Sequence, residues 1–503
     1  MLGTFMAVLD ATIVNVGIPK IMSSFGVGLD SIEWVITGYM LALAVMLPTS
    51  AWLADRFGYK RMYFIGLFVF TFGSFLCGIS VNENMLIISR IIQGLGGGAI
   101  QPLGMAIISR EFPPKQRGMA LGFWAIAAAA SVSFGPMIGG YLVDNFSWQW
   151  IFNVNLPIGV LGLIATVLIQ REYVNKKARR FDVAGFISIV IFLPLTLFAL
   201  SKGNAATNSQ GWSAPYILLC FAIALIALAV FITAELTVKE PLIDLRLLQN
   251  RNFGLCVLII LIFGMGMFGS TFLLPLYLQN SLGYTALQAG SVFLPVGIIQ
   301  GILSPVSGRM ADRINGKIPV VVGIILFAIS FYLNSFLSYL TEHDFIMLPL
   351  YLRGLGMGML FTPLNSMGLA KLPREKMAQA SGLLNTTRQL GGSLGVALFA
   401  TLLTARVSFH SQVYNESVQS RSPEFSNVDQ NLKNEIRHFA GSSNADAAKQ
   451  SRVAIVSFVN KQAFIQGVDD DFLLASGLTL LGLIPVFFLK ADKKKNSVKP
   501  LKT

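Results

Sequence analysis

An aspartate set deep in the first apolar run is the residue of this 503-residue chain best placed to do chemistry. Asp10 lies nine residues from the start of that run. At 1.5 Å per residue this is about 14 Å along a helix, near the middle of a hydrocarbon core of about 30 Å. An ionised carboxylate at that depth is costly. Asp10 is therefore expected to face a cavity and to gain and lose a proton, the simplest coupling site for a proton gradient. The plainer reading is an inert, protonated Asp satisfied by Thr12, Asn15 or a backbone carbonyl. Arg90 opens the stretch RIIQGLGGG in the fourth run. Its guanidinium keeps its proton and needs an acceptor or water; it holds water, pairs with Asp10, tunes that group, or only bridges to carbonyls. Glu33 joins these two as a proton-coupling candidate, although its place at the external entrance of the second run suits a solvated end-of-helix carboxylate. Arg353 and Arg388 are the other intramembrane bases, and with Asn15 and Gln93 they are expected to line a substrate cavity.

A second constellation is a basic loop written twice. Ala51 to Arg61 (AWLADRFGYKR) returns as Gly308 to Lys317 (GRMADRINGK), each in a short gap between long apolar runs. Asp55 and Asp312 are 257 residues apart, and Arg90 and Arg353, which open RIIQGLGGG and RGLGMG, are 263 apart. Duplication of whole helix groups is how many secondary transporters are built. The loops suit a cytoplasmic gate made of Asp55, Arg56, Gly58, Lys60 and Arg61 with Asp312 and Arg313. A Gly after the Asp-Arg pair permits a tight turn, Asp accepts from a helix N-terminus, and Arg and Lys clamp a partner across the interface. In the fifth run, Gly135, Pro136, Gly139 and Gly140 offer close helix contact and a kink, suited to a hinge or seam.

The elements that hold these residues are membrane helices. Hydrophobic residues make up 54% of the chain and charged residues 13%, with mean hydropathy +0.65; a soluble protein carries about 25% charged residues. Fourteen apolar stretches of spanning length follow one another. The net charge of +13 does not point to nucleic acid. Most basic residues fall in alternate loops, while the short loops of the other side hold only Lys20 and Lys202. The positive-inside rule then places both termini in the cytoplasm. Cys77, Cys220 and Cys256 stand singly within runs, and His343, His410 and His438 outside them, with no disulfide or metal spacing. No hydrolytic, metal-dependent or cofactor chemistry is written here. The first run opens at Met1 without a basic preamble or cleavage site, which fits a retained helix better than a signal peptide; the abrupt start fits a missing short leader.

The repeat offset exceeds what two adjacent six-helix halves need. The excess matches runs seven and eight, which carry no repeated motif. The expected fold is all-α and polytopic: a six-helix bundle over 1–181, an inserted two-helix hairpin over 182–238, and a second six-helix bundle over 239–503. An external polar segment, 406–466, interrupts the last bundle. Within it, Ala447, Val453, Val456 and Val459 approach helical spacing, so it is either a solvated hairpin or a docking surface whose helix runs on into the last span.

Together these residues resemble the major facilitator superfamily, and within it the fourteen-span drug:proton antiporters of the EmrB/QacA type, over essentially the whole chain. Leu9 to Pro19 (LDATIVNVGIP) resembles that family's first-span motif, whose Asp is implicated in proton coupling. Leu53 to Arg61 is similar to the cytoplasmic gating loop, Arg90 to Gly94 to the proton-linked span-four motif, and Gly135 to Gly140 to the span-five motif associated with antiport. Trp148 to Phe152 with Asn155 to Gly159 resembles the entry to span six. Ala51 stands where the gating loop usually begins with Gly, and Gln149 where Arg is usual between the tryptophans. The resemblance implies proton-driven export of small amphipathic compounds across a bacterial inner membrane, no catalysis, and in a Gram-negative host a periplasmic adaptor. An exporter of an endogenous lipid, siderophore or metabolite is the alternative.

Overall fold

The computed structural model describes residues 2–112, 131, 134–174, 181–203, 208, 210–239, 241–311, 315–370, 372, 376–417, 423–440 and 443–489. Among them there is no strand. The helices are α1 (Leu2–Phe25), α2 (Leu29–Phe57), α3 (Tyr59–Gly78), α4 (Glu83–Glu111), α5 (134–145), α6 (Trp150–Asn153), α7 (Asn155–Ile169), α8 (Val183–Gly203) and α9 (Pro215–Thr237). After these come α10 (Arg251–Asn280), α11 (Ala286–Ser291), α12 (Leu294–Met310), α13 (Lys317–Leu333), α14 (His343–Leu369), α15 (Met377–Ser417), α16 (Pro423–Ala440), α17 (Asn444–Leu481) and α18 (Leu483–Phe488). Thirteen stretches of the described residues are long and apolar enough to cross a membrane. The other expected span is the fifth. Much of it lies outside the described residues, and its C-terminal part is α5.

Local chemistry sets the helix ends. Asn82 caps α4 by accepting from the Met85 amide, and Asn250 caps α10 by accepting from Phe253. Thr285 and Gln288 form a reciprocal capping box on α11, which satisfies two otherwise orphaned donors. The chain then turns over residues 292–293 before α12, which carries Pro295 in its first turn, so the tenth expected span is broken in two. Between α2 and α3 the turn falls on Gly58, at φ +104°, a backbone conformation closed to most side chains.

Glycine spacing explains how the helices pack. In α4, Gly94, Gly96 and Gly98 lie against α2, α3 and α2 in turn. A Cβ on them would sit 2.6 Å from the Tyr39 carbonyl oxygen, 2.6 Å from that of Gly66 and 2.9 Å from that of Leu43. In α14, Gly354, Gly356 and Gly358 repeat the arrangement against α12 and α13, with such atoms 2.8 Å from the Val296 oxygen, 2.9 Å from the Gly323 oxygen and 2.7 Å from Leu303 Cβ. The duplicated sequence therefore builds a duplicated wedge.

Helices α1–α4 and α7 pack on one another, as do α10, α12–α15 and α17, and the two groups meet where α1 touches α10 and α11 and α2 runs along α15. Helices α8 and α9 pair mainly with each other, with α8 also resting on α2 and α15. The external segment is more helical than its polarity suggests. α15 is 41 residues long and α17 is 38, so both carry spans onward into that segment. α16 lies on α17 through Asp429, which accepts from Ser451 Oγ at 2.6 Å and pairs with Lys433. Asp470 on α17 binds Arg406 Nε at 2.6 Å and His410 Nε2 at 2.7 Å on α15.

Candidate functional site

Asp10 sits at the centre of a fully enclosed polar network. Arg90 Nη1 donates to Asp10 Oδ2, while Oδ1 accepts from Gln93 Nε2 at 2.8 Å and Asn155 Nδ2 at 2.9 Å. Arg90 also donates through Nε to the Val35 carbonyl at 3.0 Å and through Nη1 to Gln93 Oε1 at 2.6 Å. Its guanidinium lies 4.0 Å from the centre of the Tyr39 ring, where the ring face attracts a cation. Ser74 Oγ receives the Gln93 amide at 2.6 Å and that of Asn155 at 3.3 Å. Asp10, Gln93, Asn155, Ser74 and Tyr39 expose 0% of their surface and Arg90 1%. α1, α2, α3, α4 and α7 each contribute a member.

This differs from the expectation in three ways. Asp10 faces no open cavity here; five helices close over it because its charge is matched inside the bundle, which offsets the desolvation of a lone carboxylate. Gln93 is a donor to Asp10 rather than a wall of a substrate cavity. Glu33 is 1% exposed and not solvated, because packing covers the start of α2; it is not among the donors to Asp10. Thr12 Oγ1 bonds the Leu9 carbonyl instead of Asp10, and Asn15 is buried with Oδ1 unpartnered. Sequence reasoning missed Ser74, Tyr39 and Asn155 as members. For Asn155 the signal was a lone amide opening an otherwise apolar span.

The glycine strip of α5 connects this network to the other helix group. A Cβ on Gly139 would lie 2.6 Å from the Ile13 carbonyl oxygen, and one on Gly135 would run into the Thr12 side chain, so both glycines lie against the Asp10 turn of α1. On the other side, a Cβ on Gly140 would be 2.5 Å from Leu287 Cα, and one on Gly290 2.5 Å from the Pro136 carbonyl carbon. Asp144 completes this seam by accepting from the Ala286 amide at 3.1 Å and the Leu287 amide at 2.7 Å. Gln279 Nε2 donates to the Val16 carbonyl at 2.9 Å nearby. The C-terminal ends of α1 and α5 are thus closed against α10 and α11.

At the opposite end the first loop is held within its own half. Asp55 accepts from Tyr59 Oη at 3.0 Å, and Arg110 lies 3.9 Å from the centre of the Tyr59 ring. Glu172, just beyond α7, accepts from the backbone amides of Lys60 at 3.0 Å and Arg61 at 3.3 Å and pairs with Arg61. Lys60 Nζ donates to the Val167 carbonyl, and Arg56 points into the open. These contacts of Asp55, Lys60 and Arg61 all fall within the first helix group, with Glu172 holding the Lys60 and Arg61 amides. Asp312 and Arg313, the second copy, lie outside the described residues.

Arg353 is 2% exposed on α14. Its Nη2 donates to the Met267 carbonyl at 3.0 Å, Ser270 Oγ at 2.6 Å and Thr271 Oγ1 at 2.8 Å. Arg388 stands apart on α15, half-buried, 5.2 Å from the centre of the Phe361 ring. Among the described residues no group of three or more His, Cys, Asp or Glu side chains is placed to hold a metal ion.

The sequence profile of the Major Facilitator Superfamily matches residues 1–396. An uncharacterized MFS-type transporter, YhcA, of Bacillus subtilis (strain 168) is 32% identical over 502 residues, covering 100% of this chain and 93% of that protein. The multidrug export protein EmrB of Escherichia coli (strain K12) is 34% identical over 492 residues, 97% of this chain and 94% of that one. Among solved structures, a bacterial homolog of the human lysosomal transporter Spinster, in an inward-facing and occupied conformation, superposes with a TM-score of 0.62 at 15% identity, covering 97% of this chain and 94% of that one.

Proposed function

The chain belongs to the major facilitator superfamily, and we propose that it is a proton-coupled antiporter exporting amphipathic drugs or related hydrophobic compounds across the bacterial cytoplasmic membrane. Relatives named as multidrug export proteins support the cargo class. The observation that carries the coupling is the Asp10–Arg90 pair, a proton acceptor in mid-membrane whose charge is matched by one cation and two amides. A proton arriving from outside neutralises Asp10 and weakens every donor contact to it. The turn Leu9–Ile13 then shifts against the α5 glycine strip, and that strip bears on α11 across the seam. Release of the proton to the cytoplasm restores the pair. Residues 1–181 and 239–503 rock about the substrate, with 182–238 as an inserted hairpin and both termini cytoplasmic. In a Gram-negative host the external α16–α17 surface docks a periplasmic adaptor.

The test is proton-driven dye accumulation in inverted vesicles. Asp10→Asn abolishes accumulation against a gradient, and wild-type rates in that variant would remove Asp10 from the mechanism.

A further inference from the structure

The two repeated arginines have different surroundings. Arg90 meets a carboxylate on α1. Among the described residues Arg353, its counterpart in the second half, meets only a carbonyl and two hydroxyls on α10, and its Nε and Nη1 have no hydrogen-bond partner. Among the described residues no carboxylate bonds or ion-pairs with it. The Phe293 and Phe331 rings stand 5.7 and 5.8 Å from its guanidinium carbon and supply only part of the missing negative charge. A guanidinium cannot shed its proton to escape this position, and a buried charge without a partner is strongly unfavourable.

Arg353 also borders a small cavity between the halves. Thr12 and Pro136 line it from the first half, and Met267, Thr271, Phe293 and Met357 from the second. The lining is apolar apart from the guanidinium and two threonine hydroxyls. Its volume is about 30 Å³, room for a single water, so a larger group enters only as the halves part. Thr12 is two residues from Asp10, which puts the cation beside the proton-binding turn.

Resting on the export reading above, we propose that Arg353 anchors the anionic head of the cargo, and that this transporter selects hydrophobic organic anions, carboxylates or sulfonates on an aromatic or aliphatic body. The unpartnered Nε and Nη1 are charged donors such a head accepts from, one at a time because they face different sides of the guanidinium, and the apolar lining takes the body.

The test uses the purified full chain in nanodiscs and two fluorescent probes sharing one aromatic body: anilinonaphthalene sulfonate and uncharged phenylnaphthylamine. Arg353→Met is expected to weaken sulfonate binding roughly tenfold or more, in the range of a charge-assisted hydrogen bond, and to leave phenylnaphthylamine within about twofold. Thr271→Asp, which places a counter-charge against Arg353, is expected to do the same; it decides the matter if Arg353→Met does not fold. Parallel loss of both probes, or of neither, overturns the proposal. Sulfonate affinity that is equal in chloride and gluconate buffers assigns the site to the cargo head, whereas displacement by chloride overturns that assignment in favour of a free halide. Proton-driven export is read separately in proteoliposomes. If the wild type binds the sulfonate selectively but exports neither probe, the export reading fails and the anion site stands. If it exports both probes at a ratio unchanged by Arg353→Met, the anion site fails and export stands.

Discussion

Adding one methyl group at the external seam should tilt the transporter toward an externally open state. In Gly140→Ala the new Cβ would lie 2.5 Å from the Ala286 carbonyl carbon and 2.5 Å from Leu287 Cα. Both are backbone atoms of the opposite half, so no side-chain rotation relieves the clash. Ordinary carbon–carbon contact is about 3.5–4.0 Å, so α5 and α11 must separate by roughly 1 Å. Overpacking of this kind costs about 1–3 kcal/mol. The same displacement stretches the two hydrogen bonds that Asp144 accepts from Ala286 and Leu287. Because these contacts exist only with the external side closed, the cost falls on that state alone, and about 1–3 kcal/mol corresponds to a shift of about 5–150-fold in the equilibrium. The assay is pulsed electron–electron distance measurement between spin labels at Lys20→Cys and Asn280→Cys, with Cys77, Cys220 and Cys256 replaced. Gly140→Ala should populate longer distances. Gly301→Ala, where a Cβ meets nothing within 4 Å, is the matched control. Identical distance distributions in the two variants would refute the reasoning that the seam is a steric lock.

Further outcomes follow from the other contacts. Asp10→Asn and Arg90→Gln each strand the partner of a buried ion pair, so each should lose about 3–5 kcal/mol of stability; the double variant should lose clearly less than the sum, and additive thermal shifts in detergent would show the pair to be independent. Glu172→Gln removes an exposed ion pair, so its stability loss should stay within about 1 kcal/mol, while hydrogen exchange at the Lys60 and Arg61 amides should rise; unchanged exchange would mean that Glu172 does not hold the loop. Burial pushes Asp429 up, but hydrogen bonds from Lys433 and Ser451 outweigh it and hold the carboxyl below its ordinary range. A depressed carboxylate stabilises the fold above its unfolded value and loses that contribution as pH falls through its folded value. α16 should therefore stay protected on α17 at neutral pH and gain hydrogen exchange only in acid below the ordinary carboxylate range; protection independent of pH would remove Asp429 from that contact.

The helices were legible in the sequence because a bilayer fixes the length of an apolar run, and Leu2–Phe25 or Pro215–Thr237 could be read to within a residue or two. The duplication of RIIQGLGGG as RGLGMG was legible too, but that glycines two residues apart pack alternately on two neighbours appeared only in the structure. What could not be read was the rotation of one helix against another. Asn155 reaches Asp10 across 145 residues of chain, and no local pattern announces that their faces meet. Glu33 was misjudged for the same reason: its position at the end of a run suggests water, but tertiary packing covers it. The capture of the first gating loop by Glu172 depends on where α7 ends, which charge patterning alone does not fix. In the polar segment 406–466, polarity ended the expected span before α15 does, at Ser417, whereas the helix running on into the last span, α17, was one of the two readings.

The paired glycine wedges also bear on how force is carried. Gly66 against Gly96 in one half and Gly323 against Gly356 in the other bring backbone against backbone with no side chain between them to act as a cushion. Three helices joined in that way bend poorly, so each half is a stiff lever. In the proposed cycle a displacement begun at Asp10 would pass along the lever rather than be taken up inside it. Softening either wedge with larger residues and compensating space would leave the ion pair and the seam chemically intact yet mechanically disconnected.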